Sequence, residues 1–347
     1  MMTERMAPPP RKTLARVACT LGVAAAAALL TATATATAGA APGRPLPKLT
    51  AAGTLGIGQH IGHMSTRALA DGSTGFLYRN GRFTALPGAP GAALTAHVGI
   101  NDRGDIVGAY TTNAAGGIVH GFLQRHGGGV ETVDVPHAAA TVAFDVNNRG
   151  QIAGTWADAQ GTTHGFLRSA HGQLQRLDVP GAARTVGFGL NDRGQVVGIW
   201  VNAQGTERGF VWQRGQFTTV QVPGAVDTRL VAINNHGQVA GSYDEAERNP
   251  DGKYPPGTYH GLIWDHGTLT RLDVPGSPLT GALGINDAGT VSGGYADPTD
   301  RQHGFLFRAG RFTTFDAPAP GNTNGFGIDN RGNVVVPDPA SGTGLET

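Results

Sequence analysis

The sequence predicts an all-β chain folded as a six-bladed β-propeller of four-stranded antiparallel blades. Its closing blade is expected to be composite, with two strands from each end of the chain. Three observations carry this expectation. A module of roughly 44 residues recurs six times, and self-similarity at such a period marks a repeat architecture. Each module divides into four short segments rich in β-branched and aromatic residues, separated by turn residues. The marks of the first and second halves of the module are staggered at the chain ends, as a ring closed by strand sharing requires.

The repeat can be read position by position. A turn Asn falls at Asn101, Asn147, Asn191, Asn234 and Asn286, with Asp329 as the sixth copy, and a Gly follows three residues later from Gly104 to Gly332. A Thr stands six residues before each, at Thr95, Thr141, Thr185, Thr228, Thr280 and Thr323. A Gly-Phe step recurs at Phe76, Phe122, Phe166, Phe210 and Phe305, with Gly261-Leu262 in the remaining copy. The Asn-to-Asn spacings are 46, 44, 43, 52 and 43, so one module is long.

In the copy from Thr185 to Pro223, strand one ends at Asn191. Asn-Asp-Arg-Gly supplies an Asx residue and a turn glycine. Strand two is Gln195 to Trp200, strand three Arg208 to Trp212 and strand four Phe217 to Val222. Pro-Gly then closes the unit at Pro87, Pro180, Pro223 and Pro275, while Pro136-His137 and Pro318-Ala319 depart from that pattern. Several strands are apolar on successive residues, as expected for strands covered on both faces. Blades stacked around an axis provide that cover.

The first Gly-Phe copy precedes the first Asn-turn copy. The C-terminal pair, Thr323 to Val336, is therefore expected to join the N-terminal pair, Gly75 to Leu86, and remove two open sheet edges. A weak stretch from Leu55 to Met64 leaves seven blades as an alternative, and an open β-solenoid is a further one.

Composition sets the rest. Gly at 55 of 347 residues, with few Glu or Lys, argues against long helices. Arg5, Arg11, Lys12 and Arg16 precede the apolar run Val17 to Leu30, and Ala38-Gly39-Ala40 offers a cleavage site. That pattern predicts a secretory signal peptide over 1–40, cleaved near Ala40-Ala41 to give a secreted, extracellular protein. Residues 41–52 read as a linker, 53–336 as the propeller and 337–347 as a disordered tail. Removing the signal leaves 22 basic against 24 acidic residues, so net charge makes no case for nucleic acid or an anionic membrane surface. Cys19 leaves with the signal, and no disulfide is expected. No membrane span is expected in the mature chain, and a monomer is.

Motifs for chemistry are sparse. His120, His164, His260 and His303 share one repeat position, too far apart around a ring to converge on one ion, so a hydrogen-bonding role is expected. Asp134, Asp178, Asp273 and Asp316 recur two residues before the closing Pro and are expected to cap connector amides. The aromatics after strand two, from Tyr110 to Tyr295, are expected to pack the blades. Calcium needs six to eight oxygen ligands, more than the Asn-Asp-Arg-Gly turns offer. No catalytic residue, metal ligand or cofactor is assigned.

Function is expected where the symmetry breaks. The long module carries the extra loop Asp244 to Gly257, on the face that also bears the blade-to-blade connectors. Candidate ligand contacts there are Thr185, Thr228, Arg184, Asp227, Arg229, Asn322, Asn324, Glu245, Lys253 and Tyr254, with His97 at the same mouth. The competing reading makes the threonines turn caps and the loop a tolerated insertion.

The repeated pattern Thr…Gly-Ile-Asn-Asp-x-Gly-x-Val-x-Gly-x-Tyr…His-Gly-Phe-Leu…Asp-x-Pro-Gly-Ala resembles the HAF-type extracellular repeats of bacterial secreted proteins. The resemblance spans residues 75 to about 336. It implies an exported, propeller-like chain without an established catalytic activity, and carries over no functional residue. Leu262, Arg208, His137 and Asp329 depart from the pattern. The expected function is therefore a non-catalytic recognition module for a glycan, a cell-wall component or a protein. The alternative is an extracellular polysaccharide hydrolase or lyase, with acids from Asp227, Asp244, Glu245 or Glu247 and charge support from Arg184 or Arg229.

Overall fold

Asx turns and left-handed glycines cut the chain into short strands. Asn191 Oδ1 accepts the backbone N–H groups of Arg193 and Gln195 at 3.0 Å each, and Gly194 closes the turn at φ 74°. The computed structural model describes residues 73–113, 118–247, 249, 254–319 and 321–337. The expected signal peptide, the linker, the stretch around Leu55 and the tail beyond Pro337 lie outside those residues.

The described residues form strands and no helix. Chain order gives the hairpin β1 (Ser73–Arg79) and β2 (Arg82–Pro87), then five whole blades. Blade one is β3 (Leu94–Ile100), β4 (Ile106–Thr111), β5 (Val119–Gln124) and β6 (Val130–Val133). Blade two is β7 (Ala140–Val146), β8 (Ile152–Ala157), β9 (Thr163–Arg168) and β10 (Leu174–Leu177). Blade three is β11 (Arg184–Leu190), β12 (Val196–Val201), β13 (Glu207–Gln213) and β14 (Gln216–Val220). Blade four is β15 (Asp227–Ile233), β16 (Val239–Asp244), β17 (Tyr259–Asp265) and β18 (Thr268–Leu272). Blade five is β19 (Leu279–Ile285), β20 (Val291–Ala296), β21 (Gln302–Arg308) and β22 (Arg311–Phe315), and β23 (Val334–Pro337) ends the series.

Closure follows the expected route. β23 pairs antiparallel with β1, setting Tyr78 opposite Val334, Leu77 opposite Val335 and Phe76 opposite Val336. The sixth blade is thus composite, and the ring shuts at six rather than seven blades or an open solenoid. One part of it differs from expectation. The innermost segment, Thr323 to Ile328, is no regular strand and keeps a single bridge, Ile328 to Val334. Its amides are spent elsewhere, Gly327 N–H reaching Val98 in blade one and Gly325 N–H reaching Gly293 in blade five. That segment bonds to both neighbouring blades as well as to its own sheet, where Phe326 N–H reaches the Val335 carbonyl and Val335 N–H the Gly327 carbonyl.

The Phe of Gly-Phe is the core of each blade, buried from Phe76 to Phe305 with Leu262 in its place in blade four. Its seat requires the strand-two glycine. A Cβ at Gly108, Gly154, Gly198, Gly241 or Gly293 would stand 1.9–2.2 Å from a strand-one carbonyl oxygen, and usually against the Phe ring too. The connectors correct one register. Thr95 Oγ1 accepts the N–H of Ala89, as Thr185 does that of Val179, so the closing proline of the composite blade is Pro90, not Pro87. At Pro136-His137 the turn survives because His137 takes φ 63° itself.

Two hydrogen-bonded belts run around the axis where strands one and two turn, and the second of them closes on itself. In the first, each turn Asn donates Nδ2 to the carbonyl of the next blade's Asn, from Asn101 to Asn147 and on to Asn286 with Asp329. The second uses the following residue, which alternates as Asp102, Asn148, Asp192, Asn235, Asp287 and Asn330. Each backbone N–H donates to the next side-chain Oδ1 at 2.7–2.9 Å, and the circle closes from Asn330 back to Asp102. Each Asn amide also bridges two carboxylates, as Asn148 does between Asp102 and Asp192. Alternation is what lets every acceptor find a donor.

Candidate functional site

The loop-bearing face is where the candidate residues were expected, and the structure separates them by role. All six threonines are buried, each Oγ1 accepting a connector amide at 3.0–3.1 Å. Thr185 and Thr228 are therefore staples and not a ligand-binding rim. The recurrent His and Asp marks prove to be one device. Nδ1 of His120, His164, His260 and His303 faces Asp134, Asp178, Asp273 and Asp316 at 2.7–3.1 Å. The aspartates thus engage histidine rings in place of the expected connector amides. The Tyr110, Trp156, Tyr243 and Tyr295 rings lie against those imidazoles, with centroids 4.5–5.2 Å apart.

The symmetry does break where blades three and four meet. Arg229, 1 % exposed, sends Nε to Glu207 at 2.6 Å and Nη2 to Asp227 and Asp244 at 3.2 and 3.4 Å. Arg184 adds a longer contact to Glu207 at 3.6 Å. The guanidinium carbon lies 5.8 Å from the Tyr259 ring centroid, and Tyr254 packs on Tyr259 at 4.7 Å with the rings tilted by 43°. Tyr259 OH meets Ser242 Oγ at 2.7 Å. Burial pushes Asp227 up to about 6 against the pull of Arg229, with Glu207 and Asp244 pushing the same way as burial. Burial also lowers Arg184, opposed by Glu207 and Asp227.

Of the expected site residues, the structure thus gathers Arg184, Asp227, Arg229 and Tyr254. Blade two places Ala140 where Arg184 and Asp227 stand, Val142 at the position of Arg229 and Ala157 at that of Asp244, an apolar set. Asn322 and Asn324 lie apart with Gln302, Asn324 Nδ2 donating to Gln302 Oε1 at 2.8 Å and Gln302 N–H to Asn322 Oδ1 at 3.0 Å. Glu245 stands at the loop's root, 3.3 Å from Arg271. Lys253 lies outside the described residues. Glu207 was missed by sequence reasoning. Its signal was the position two before Gly-Phe, which is Val119, Thr163, Tyr259 or Gln302 in other blades.

Two further buried ionisable groups lie outside this cluster. His97, expected at the mouth, is instead wholly buried against the closing seam, its ring 5.5 Å from Phe122 and neither nitrogen in a well-formed hydrogen bond. Desolvation lowers it to about 4, although the carbonyls of Pro87 and Thr74 favour the proton. Asp145 lines the axial cavity beside the apolar Val98, Phe144, Phe188, Leu283 and Phe326. Other blades place Gly99, Gly189, Ala232, Gly284 and Gly327 at its position. Its two oxygens accept Val146 N–H and Leu190 N–H, clipping blade two to blade three. Desolvation raises it to about 7, those two bonds opposing.

These two groups make opposite contributions to stability. For His97 the unfolded chain takes the proton first, so stability is lost as pH falls from 6.5 to about 4, by about 3 kcal/mol. For Asp145 the native state holds the proton, so stability is lost as pH rises from 3.8 to about 7, bounded near 4 kcal/mol. The wild-type melting temperature should change little from this pair between pH 4 and 7. His97→Leu, the residue blade four uses there as Leu230, should melt lower as pH rises, because Asp145 and Asp227 then act unopposed. Asp145→Asn should hold a nearly level melting temperature as pH rises, because His97 then offsets Asp227. Thermal melts across that range check both, and parallel profiles for the two variants would contradict the assignment.

No family model and no curated protein matches the sequence. Solved structures do. The putative TolB from Agrobacterium tumefaciens aligns with a TM-score of 0.56 at 12 % identity, over 77 % of this chain and 98 % of that one. The six-bladed β-propeller lectin of Aleuria aurantia aligns at 0.45 and 11 % identity, over 80 % of this chain and 91 % of that one. At 12 % identity the first of these likenesses speaks for the fold alone.

Proposed function

We propose that this chain is an exported, non-catalytic recognition module whose ligand meets the loop-bearing face at the boundary of blades three and four. The observation that carries the reading is the charged break itself. Arg229 and its three carboxylates replace an apolar wall at one point of a six-fold face, directly beneath the longest loop. Such a cluster costs desolvation energy, and an apolar packing would serve stability as well. Its buried contacts moor the root of the loop through Asp244, Tyr254 and Tyr259, leaving the loop's outer residues to meet a glycan, a wall component or a protein. Export rests on the signal-like N-terminus and on the resemblance to HAF-type repeats.

The hydrolase or lyase reading is less well served. Asp227, Asp244 and Glu207 share one buried guanidinium, so none is free to move a proton to a bound polymer. A glycan and cell-wall polysaccharide array, run with the mature chain and a variant lacking 246–256, separates the readings. Binding that the deletion abolishes, without release of reducing ends, is the expected result. Binding unchanged by the deletion contradicts the site, and polymer cleavage lost in Asp227→Asn would favour the enzyme.

A further inference from the structure

We propose that the opposite face, formed by the strand one–two and strand three–four turns, binds an acidic polysaccharide. A formal net charge of +1 for the whole chain hides a disk whose two faces differ. Around the belts, the residue after each belt position supplies an inner collar of exposed Arg103, Arg149, Arg193 and Arg331, with His236 at a fifth blade. The strand three–four turns add an outer collar of exposed Arg79, Arg82, Arg125, Arg214, Arg308 and Arg311. Arg103, Arg125 and Arg193 reach Asp105, Glu131 and the Asn235 carbonyl. The others carry no ion pair among the described residues.

The acids of this face are already committed. Asp102, Asp192 and Asp287 hold the amides of the second belt, and Asp105 and Asp329 are buried. Glu131 is taken by Arg125 and Arg168, and Asp265 by His266. The other face carries the opposite excess, in Asp134, Asp158, Asp178, Asp273, Asp297 and Asp316. What remains free on the turn face is guanidinium, a planar fork that matches carboxylate and phosphate oxygens.

The partner is a polysaccharide for two reasons. Its charges are spaced by whole sugar units, and its hydroxyls can donate to the belt's carboxylate oxygens. A duplex carries a charge every ~1.7 Å and would lay its phosphates across the three axial aspartates. Nor does the inner collar offer the run of stacking platforms that single strands use, since its turns are Asn, Asp, Arg, Ala and Gly with the His236 ring in a single blade. Carboxylate-bearing and phosphate-bearing polymers share the required chemistry.

The test is a binding titration of the full chain with polygalacturonate, teichoic acid, neutral dextran and duplex DNA at several salt concentrations. Wild type should bind at least one acidic polymer, more weakly as salt rises, and should ignore dextran; which one binds names the anion. The combined variant Arg149→Gln, Arg214→Gln, Arg308→Gln and Arg331→Gln should bind at least 10-fold more weakly with an unchanged melting temperature. Arg176→Gln with Arg301→Gln, on the other face, should bind as wild type. No binding to either acidic polymer at low salt, an affinity unmoved by the fourfold variant, or equal affinity for DNA would each overturn the proposal. Because the loop plays no part here, the 246–256 deletion should leave this binding intact.

Discussion

A chain ending at Asn333 should lose its cooperative melt, because the ring is then missing the strand that joins its ends. Val334, Val335 and Val336 are fully buried, Val335 in the core shared with Leu86 and Val98 and the other two beside Phe76, Tyr78 and Phe315. Burying three valines is worth roughly 2 kcal/mol each, or about 6 kcal/mol before any ladder hydrogen bond is counted. Domains of ordinary stability hold only about 5–15 kcal/mol. The loss also bares one edge of β1 and the flank of blade one, against which β23 packs. Calorimetry should show a broad, low-temperature transition and a tendency to associate. A single sharp transition within a few degrees of the full chain would mean that the seam contributes little.

Arg229→Ala should be the most damaging single substitution on the loop-bearing face. It strands Glu207, Asp227 and Asp244 in a site from which water is excluded, and breaking a buried ion pair from one side costs about 3–5 kcal/mol. At roughly 2–4 °C per kcal/mol for a domain near this size, the midpoint should fall by about 10 °C. The loss should ease in acid, since protonating Asp227, already raised by burial, removes one of the stranded charges. Arg176→Ala, an exposed arginine, should stay within about 0.5 kcal/mol of wild type. A drop of under about 1 kcal/mol for Arg229→Ala would show that the cluster is open to water.

What the sequence disclosed and withheld follows from where each interaction lies. Blade number, strand order and the Tyr78-to-Val334 meeting were legible because turns and strand periods are local signals repeated in phase. The proline of the composite connector was misplaced because Pro87-Gly88 and Pro90-Gly91 both suit a turn, and only the Thr95 bond distinguishes them. Arg184, Asp227 and Arg229 were legible as charges flanking the repeat's threonines on the loop-bearing face. Glu207 escaped because the position varies freely among blades, and its role depends on Arg229 from the next blade. The alternation of Asp102, Asn148, Asp192, Asn235, Asp287 and Asn330 was written openly in the sequence. Its meaning needed a closed ring, since a belt that alternates donors and acceptors is satisfied only when its ends meet. Asp145 was invisible for the opposite reason, being one acid where five blades have Gly or Ala.

Ring closure by β1 and β23 underlies both faces and the axial belts, and a disulfide tests it most directly. Leu77 and Val335 are opposed partners in an antiparallel pair, with Cα atoms expected about 4.5–5.5 Å apart, inside the range a disulfide spans. In a background lacking Cys19, Leu77→Cys with Val335→Cys should oxidise to near completion under mild conditions. Mass spectrometry should recover the two segments as one cross-linked peptide, and Leu77→Cys with Leu174→Cys should remain reduced. Free thiols at both Leu77→Cys and Val335→Cys after oxidation, in protein that melts as wild type, would contradict a closed ring.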